Sequence, residues 1–534
     1  MTTYDGIIIG AGHNGLITQA CLAKAGLKVI SLDAGPVAGG GLSTVEDEKH
    51  PGFFHNLHSY FHRGITSMPW FTDLELKRYG VEYLENDLYV SVLQRDGNVL
   101  QWWNDFEQTY QSFAAIDRDD ADRLRYWRDR FVSITRDIIR PEAAAPPVQA
   151  AVRRERLQKS EDGRLLLQVS ELSPYEFVAR EFNHPAIKGA LLFINGMREV
   201  DLRAKGFGHH LPSLFASSAQ VQTWRGGAAS LARALVRSIE ASGGTVRTNA
   251  PVRRILSAEG RATGVELQNG EVLKASRFVV SSVNPHITFL DLMERSQLPP
   301  GRARKVERFE YNKLGPLFTL HLNLKEAPVY KAADRFPKVQ KSLMVIMGID
   351  KIDTFLELVR SRDEGTIGPP GLWGGTPTAI DPSQAPAGYH TAFMWEKTPY
   401  ALRGDSRNWV EEKSRHARRM FDLWCEYAPN LRKSTIDSFA QSPHETAIRH
   451  PNMREADLLI GAFRNGQVGA DRPFAGAEDY RTFLGGLYLC GSSSHPGGNI
   501  TGLPGYNAAK VIMGDHFARQ SGGDAAARDN VNVD

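Results

Sequence analysis

Short apolar runs and amphipathic helical stretches alternate along this chain from its first residues. Gly6-Ile7-Ile8-Ile9, after Tyr4, predicts a fully apolar strand, and Gly10-Ala11-Gly12-His13-Asn14-Gly15 interrupts it. Leu16, Ile17, Ala20, Cys21, Leu22 and Ala25 then give a helix its apolar face until Gly26, and residues 28–33 predict a second strand. The region from Trp70 to about Met197 predicts an amphipathic helical insertion, shown by Phe106, Tyr110, Phe113, Leu124, Trp127 and Phe131 and broken at 141–147. Leu231, Leu235 and Ile239 mark a further helix that ends at Gly243-Gly244. Strands follow at 245–255, 264–267 and 277–282, with Asn269-Gly270 as a hairpin turn. Alternation at 317–324 and 343–347 predicts a mainly antiparallel sheet, with a helix at 410–427. The pattern closes on an apolar strand at 486–491, a glycine-rich loop and a helix at 506–517.

The first interruption carries chemistry. Gly-x-Gly-x-x-Gly between a strand and a helix is the dinucleotide-binding fingerprint: Gly10 makes the tight turn, Gly12 lets backbone approach a pyrophosphate, and Gly15 lets helix pack on strand. The helix N-terminus then faces the phosphates. Asp33, 23 residues after Gly10, is placed to accept hydrogen bonds from a ribose, which favours FAD or NAD over NADP. Gly39-Gly40-Gly41 suits a loop passing close to the diphosphate or ribityl part of the cofactor. Five glycines between Gly491 and Gly505 again place backbone near a ligand, and the helix that follows offers N–H groups to the negative charge of a reduced flavin.

Bulk properties narrow the options. A net charge of +3 over 534 residues gives no nucleic-acid footprint, and the arginines of 118–140 are interleaved with Asp119, Asp120, Asp122, Asp129 and Asp137 as on a solvated helix face. Cys21, Cys425 and Cys490 lack C-x-x-C spacing, which argues against disulfide chemistry and for a reducing compartment. The immediate first strand leaves no room for a signal peptide, and no apolar run is long enough to span a membrane. The expected location is cytoplasmic, with peripheral membrane contact left open. His50, His55, His58 and His62 crowd one stretch. Without a Glu after His58, no metal is expected; the histidines line a pocket near the flavin or serve as polar loop residues.

Taken together, the head motif, Pro51-Gly52-Phe53 through Ser59-Tyr60, Trp224-Arg225-Gly226-Gly227, Ser442-Pro443 and the tail 491–507 make the chain resemble the phytoene dehydrogenase-related flavoproteins. The likeness is nearest to the branch called pyridine nucleotide-disulfide oxidoreductase domain-containing protein 2, in a superfamily that includes amine oxidases. It implies an extended FAD, its ADP part held by residues placed like Gly10, Gly12, Gly15 and Asp33, and its adenine touched by one placed like Val252. Gly40 and Gly41 belong to the second glycine loop, where relatives often carry Arg at the position of Gly41. Gly491, Asn499, Ile500 and Gly502 belong to the loop that would hold the isoalloxazine.

The implied fold class is α/β: a Rossmann-type FAD-binding domain led by the βαβ unit and discontinuous in sequence (1–69, 218–288, 480–520). A substrate domain of mainly antiparallel sheet plus helical insertion (70–217, 289–479) completes it, followed by a mobile tail (521–534). The implied activity is dehydrogenation, or desaturation, of a largely hydrophobic small molecule by hydride transfer to flavin N5. C–N oxidation, redox-neutral isomerisation and a non-catalytic FAD-bound role in an assembly are the alternatives. His495, His58, Tyr60 and Arg225 are the candidate polar groups at the reaction centre; His495 could instead bond within its loop, and Arg225 could contact an FAD phosphate or a carboxylate. With one dinucleotide fingerprint, electrons would leave to oxygen, a quinone or another carrier. The oligomeric state stays open.

Overall fold

The computed structural model describes residues 3–195 and 200–526. Strand β1 (Thr3–Ile9) has parallel neighbours on both sides, β2 (Val29–Leu32) and the strand Val272–Ser281. Thr245–Arg247 extends the sheet beyond β2, and Leu487–Leu489 pairs parallel with the end of Val272–Ser281. The start of that long strand instead pairs antiparallel with Arg261–Leu267, which continues into Val252–Ala258. Its central parallel strands are buried on both faces, which is why residues 6–9, Val29–Leu32, the end of Val272–Ser281 and Leu487–Leu489 are continuously buried without alternation. Ile7 and Ile9 pack with Ile30, Leu32 and Val279 on one side, and Ile8 packs with Phe278, Val280 and Tyr488 on the other. Helix α1 (His13–Lys24) is buried almost all round, between the sheet and the helices Ala229–Ala241 and Leu503–Ala526.

The second sheet has seven strands in the order Thr435–Gln441, Leu317–Leu324, His390–Lys397, Leu372–Gly375, Met344–Met347, Leu88–Leu93 and Val99–Trp103. All neighbours are antiparallel except Met344–Met347 with Leu88–Leu93. One face carries Phe318, Leu320 and Leu322 against the helix Trp409–Tyr427; the other carries Trp373, Phe393 and Trp395 against the helical insertion.

The expected helical stretch is corrected at its beginning. Residues 88–103 form a β-hairpin turned at Asp96-Gly97, where Gly97 has φ +83° and Gln94 N–H donates to the Asn98 carbonyl. A turn dipeptide between β-branched and aromatic runs wins over the helical reading. After a short helix at Pro69–Asp73, the helices of the insertion begin at Phe106, and four of them are entered through a side-chain cap: Asp105, Asp117, Ser160 and Ser173 accept from the first turns that follow them. Met197, the expected end of the stretch, lies outside the described residues. Asp120 is likewise corrected: it is fully buried, and its carboxylate accepts the N–H groups of Asn183 and His184 at 2.7 and 2.8 Å. The last helix reaches Ala526 and so enters the stretch expected as a tail, whose remaining residues lie outside the described ones.

One contact in the first sheet shows how tightly β1 is fitted. Gly6 pairs with Phe278, whose ring occupies the position a Cβ on Gly6 would take, 1.9 Å away. Phe278→Ala is expected to destabilise by about 3–5 kcal/mol, and Gly6→Ala to destabilise as well. The double variant should recover about 0.5–3 kcal/mol relative to the sum. Denaturant unfolding followed by tryptophan fluorescence measures all three; strict additivity would disprove the fit.

Candidate active site

The carboxyl end of β1 builds the first part of the site. Gly10 has φ +91° and its N–H donates to the Leu32 carbonyl, while a Cβ on Gly15 would lie 2.2 Å from the Gly10 carbonyl oxygen. Helix α1 starts at Gly12 without a side-chain cap, so its first-turn N–H groups lack the usual partner, and a Cβ on Gly12 would meet nothing within 4 Å. An uncapped helix start facing open space fits a pyrophosphate. Asp33 accepts from Ala11 N–H at 2.7 Å and Gly35 N–H at 2.9 Å, one bond on each oxygen; the remaining lone pairs suit ribose hydroxyls. Gly39 N–H donates to the Ala11 carbonyl, Gly40 turns at φ +57° over Gly12, and Gly41 lies against Met453 and Ile500. Ala250 N–H donates to the Asp33 carbonyl, and Val252 starts its strand two residues on.

The tail loop is locked to the same helix. Leu487–Leu489 delivers Gly491 beside Ser282, whose carbonyl oxygen lies 2.5 Å from where a Gly491 Cβ would be. Asn14 donates to Ser492 Oγ at 3.1 Å, and Thr18 Oγ1 donates to the Gly505 carbonyl at 2.9 Å. Asn499 has φ 76°, and Gly502 sits under Ile17 and Trp70, whose indole N–H donates to the Thr501 carbonyl. Head and tail of the chain therefore form one surface.

A third segment, 54–62, runs from the second sheet to this surface. His55 donates to Asn323 Oδ1 at 2.8 Å, His58 packs edge-on to His450 with ring centroids 4.8 Å apart, and His62 bridges Ser59 and the Trp224 indole. His58 and His62 thus have separate partners and do not converge as a ligand pair. Burial lowers the pKa of His13 and His55 to about 4 and that of His58 and His62 to about 3, so all four are neutral at pH 7. Tyr60 is buried against Phe393, and its hydroxyl has no hydrogen-bond partner among the described residues.

The remaining candidates sit differently. His495 Nε2 donates to the Glu142 carbonyl at 3.0 Å, tying the loop to the helical insertion, while its buried Nδ1 has no partner among the described residues. Arg225 is half exposed and binds both oxygens of Glu82, with Asp381 at 3.8 Å. Cys21 and Cys490 are buried thiols, pushed by burial up to about 12 and about 11, and so inert.

Two residues were missed by sequence reasoning. Arg472 is fully buried and donates to the carbonyls of Gly461, Ala462, Gln467 and Ser492; burial lowers it to about 10, so it is a buried cation bonded to the tail loop. No local pattern marks it. His321 does have a signal: Thr319, His321 and Asn323 occupy alternate positions of an otherwise apolar strand and so share one face.

Comparison with known proteins agrees with this geometry. Residues 15–512 match the family described as flavin containing amine oxidoreductase. One subunit of the limonene dehydrogenase of Castellaniella defragrans is 30% identical over 533 residues, covering 96% of this chain and 94% of that protein. Pyridine nucleotide-disulfide oxidoreductase domain-containing protein 2 of Rattus norvegicus is 28% identical, with the same shares covered. Among solved structures, cyclohexylamine oxidase from Brevibacterium oxydans shares the fold with a TM-score of 0.58 at 16% identity, covering 96% of this chain and 99% of that one.

Gly15→Val forces the turn at Gly10 to open and is expected to weaken FAD binding at least about tenfold without unfolding the protein. The flavin-to-protein absorbance ratio and circular dichroism measure the two effects, and a yellow variant with unchanged FAD affinity would refute the placement. The histidines give a pH dependence. Unfolded, they take up protons near their ordinary value of 6.5, whereas folded they resist until about 3–4, so the unfolded state binds more protons in between. Stability should fall as pH drops from 6.5 toward 4, by up to about 1.4 kcal/mol per pH unit for each histidine. His58→Asn should flatten that slope in denaturant titrations at pH 7 and pH 5.

Proposed function

Because the chain belongs to the flavin-containing amine oxidoreductase family and is an FAD-dependent oxidoreductase, we propose that it dehydrogenates a largely hydrophobic small molecule. When bound, FAD accepts a hydride at N5. The observation that carries the reading is the sheet face toward the helical insertion, where Trp373, Phe393 and Trp395 pack with Tyr60 from segment 54–62. Such a wall holds an apolar skeleton by burial and excludes water. A relative named for limonene, a cyclic hydrocarbon, supports the same substrate character.

The protein residues act by position and charge. The uncapped start of α1 and the glycine turns are proposed to hold the diphosphate, and Asp33 the ribose. The tail loop 491–505 is proposed to hold the flavin ring. Neutral histidines along 54–62 keep the space between cofactor and sheet uncharged, and Arg472 places one positive charge behind the tail loop, where it opposes the negative charge of a reduced ring. An amine substrate would favour an unpaired carboxylate here, but the acids near this wall are engaged: Asp381 accepts from Gly226, Ser383 and Gln384, and Asp437 binds His50. The acceptor that reoxidises the flavin is proposed to be oxygen or a quinone. No helix among the described residues is long and apolar enough to cross a membrane.

Anaerobic addition of apolar unsaturated or cyclic compounds to the holoenzyme is expected to bleach the oxidised-flavin absorbance. Bleaching by amines alone would overturn the dehydrogenase reading in favour of C–N oxidation.

A further inference from the structure

The wall that faces the helical insertion is not purely apolar. Thr319 lies opposite Trp395, and His321 opposite Phe393, in the pairing of Leu317–Leu324 with His390–Lys397, so all four share one face. The His321 ring is held between Phe439, stacked at 4.8 Å, and Phe393, stacked at 5.9 Å, which fixes its plane. Phe393 also touches Tyr60 at 5.1 Å and Trp395 at 4.6 Å. Within this patch Thr319 Oγ1, both nitrogens of His321, the Trp395 indole N–H and the Tyr60 hydroxyl are buried, and none has a hydrogen-bond partner among the described residues. Unpaired polar atoms are rare in protein interiors and each is costly, and here five lie together on one patch.

We propose that this patch is the polar end of the substrate site, and that the substrate is an apolar ring or chain carrying an uncharged hydroxyl or carbonyl group. The inference rests on the dehydrogenase reading above and specifies its substrate class. The chemistry of the patch selects the group. Trp395 offers only a donor, Thr319 and Tyr60 offer both roles, and His321 offers one donor and one acceptor, because burial, then His55 and His58, hold it neutral. A hydroxyl or carbonyl answers such a set. A bare hydrocarbon leaves every one of these atoms unpaired on binding, and a cation finds no unpaired carboxylate there among the described residues. The one acid of strand His390–Lys397, Glu396, points to the opposite face, where His416 and Arg419 meet it. Lys397, farther along the patch side, donates to the Leu314 carbonyl.

The test titrates the holoenzyme, anaerobically, with matched pairs of different size: limonene against carveol and carvone, cholestane against cholestanol, and β-carotene against zeaxanthin. Perturbation of the bound-flavin spectrum reads binding, and its bleaching reads turnover. The oxygenated member of at least one pair is expected to bind at least about tenfold tighter than its hydrocarbon. Thr319→Val, which keeps the shape, and His321→Leu should each reduce that advantage about fivefold or more. Hydrocarbons binding as tightly in every pair, an advantage that survives both variants, or no binding by any pair overturns the inference. Bleaching by hydrocarbons alone overturns it while leaving the dehydrogenase reading standing. Tight oxygenated binding that never bleaches the flavin supports the polar site and sinks the dehydrogenase reading.

Discussion

Parallel pairing at the strand Val272–Ser281 is the constraint on which the rest of this structure depends. That strand holds β1 on one edge and, at its end, Leu487–Leu489 on the other. Parallel strands present their carboxyl ends on the same side, so Gly10, Ser282 and Gly491 emerge together although they lie hundreds of residues apart. Everything at the proposed cofactor surface follows from this register. Asn14 can reach Ser492, and Thr18 can reach Gly505, only because the last strand enters the sheet next to the first.

The glycine turns were legible in the sequence because their requirement is local. A strand must turn sharply, a helix must start without a side chain in front of it, and only glycine satisfies both at Gly10 and Gly12. Asp33 was legible for a similar reason, since its distance from Gly10 is set by one helix and one strand. The hairpin at 88–103 carried a local signal as well, Asp96-Gly97 between β-branched and aromatic runs, but the amphipathic stretch that follows masked it; only its place beside Met344–Met347 depends on distant chain. Arg472 lay beyond reach altogether: its partners are four backbone carbonyls, which leave no trace in residue identity. Arg225 shows the converse. It stands in a recognisable motif, yet its guanidinium is engaged by Glu82 on the surface.

Charge is distributed around the proposed site with a consistent logic. The surface pairs many arginines with acids, at modest energetic value, while the seam between the glycine loops and the second sheet holds histidines that burial keeps neutral. The buried cation Arg472, behind the tail loop, is bonded to carbonyl dipoles rather than directly to a carboxylate. Its charge is therefore less cancelled locally than in a tight ion pair, and its field extends to the loop it touches.

Segment 54–62 explains why histidines, rather than aliphatic residues, occupy the seam. One end must hold register with the second sheet and the other with the surface proposed to hold the cofactor, and dispersion contacts alone would permit sliding. His55 fixes the first end through Asn323, which donates in turn to Asp47, and His62 fixes the second through the Trp224 indole and Ser59. Directional bonds at both ends set the spacing between the glycine surface and the wall of Phe393 and Trp395. A hydride donor must lie within contact distance of its acceptor, so a fixed spacing here is a condition of the chemistry. Neutral imidazoles supply direction without the desolvation penalty of charge, which makes them the residues that can do this in a dry interior.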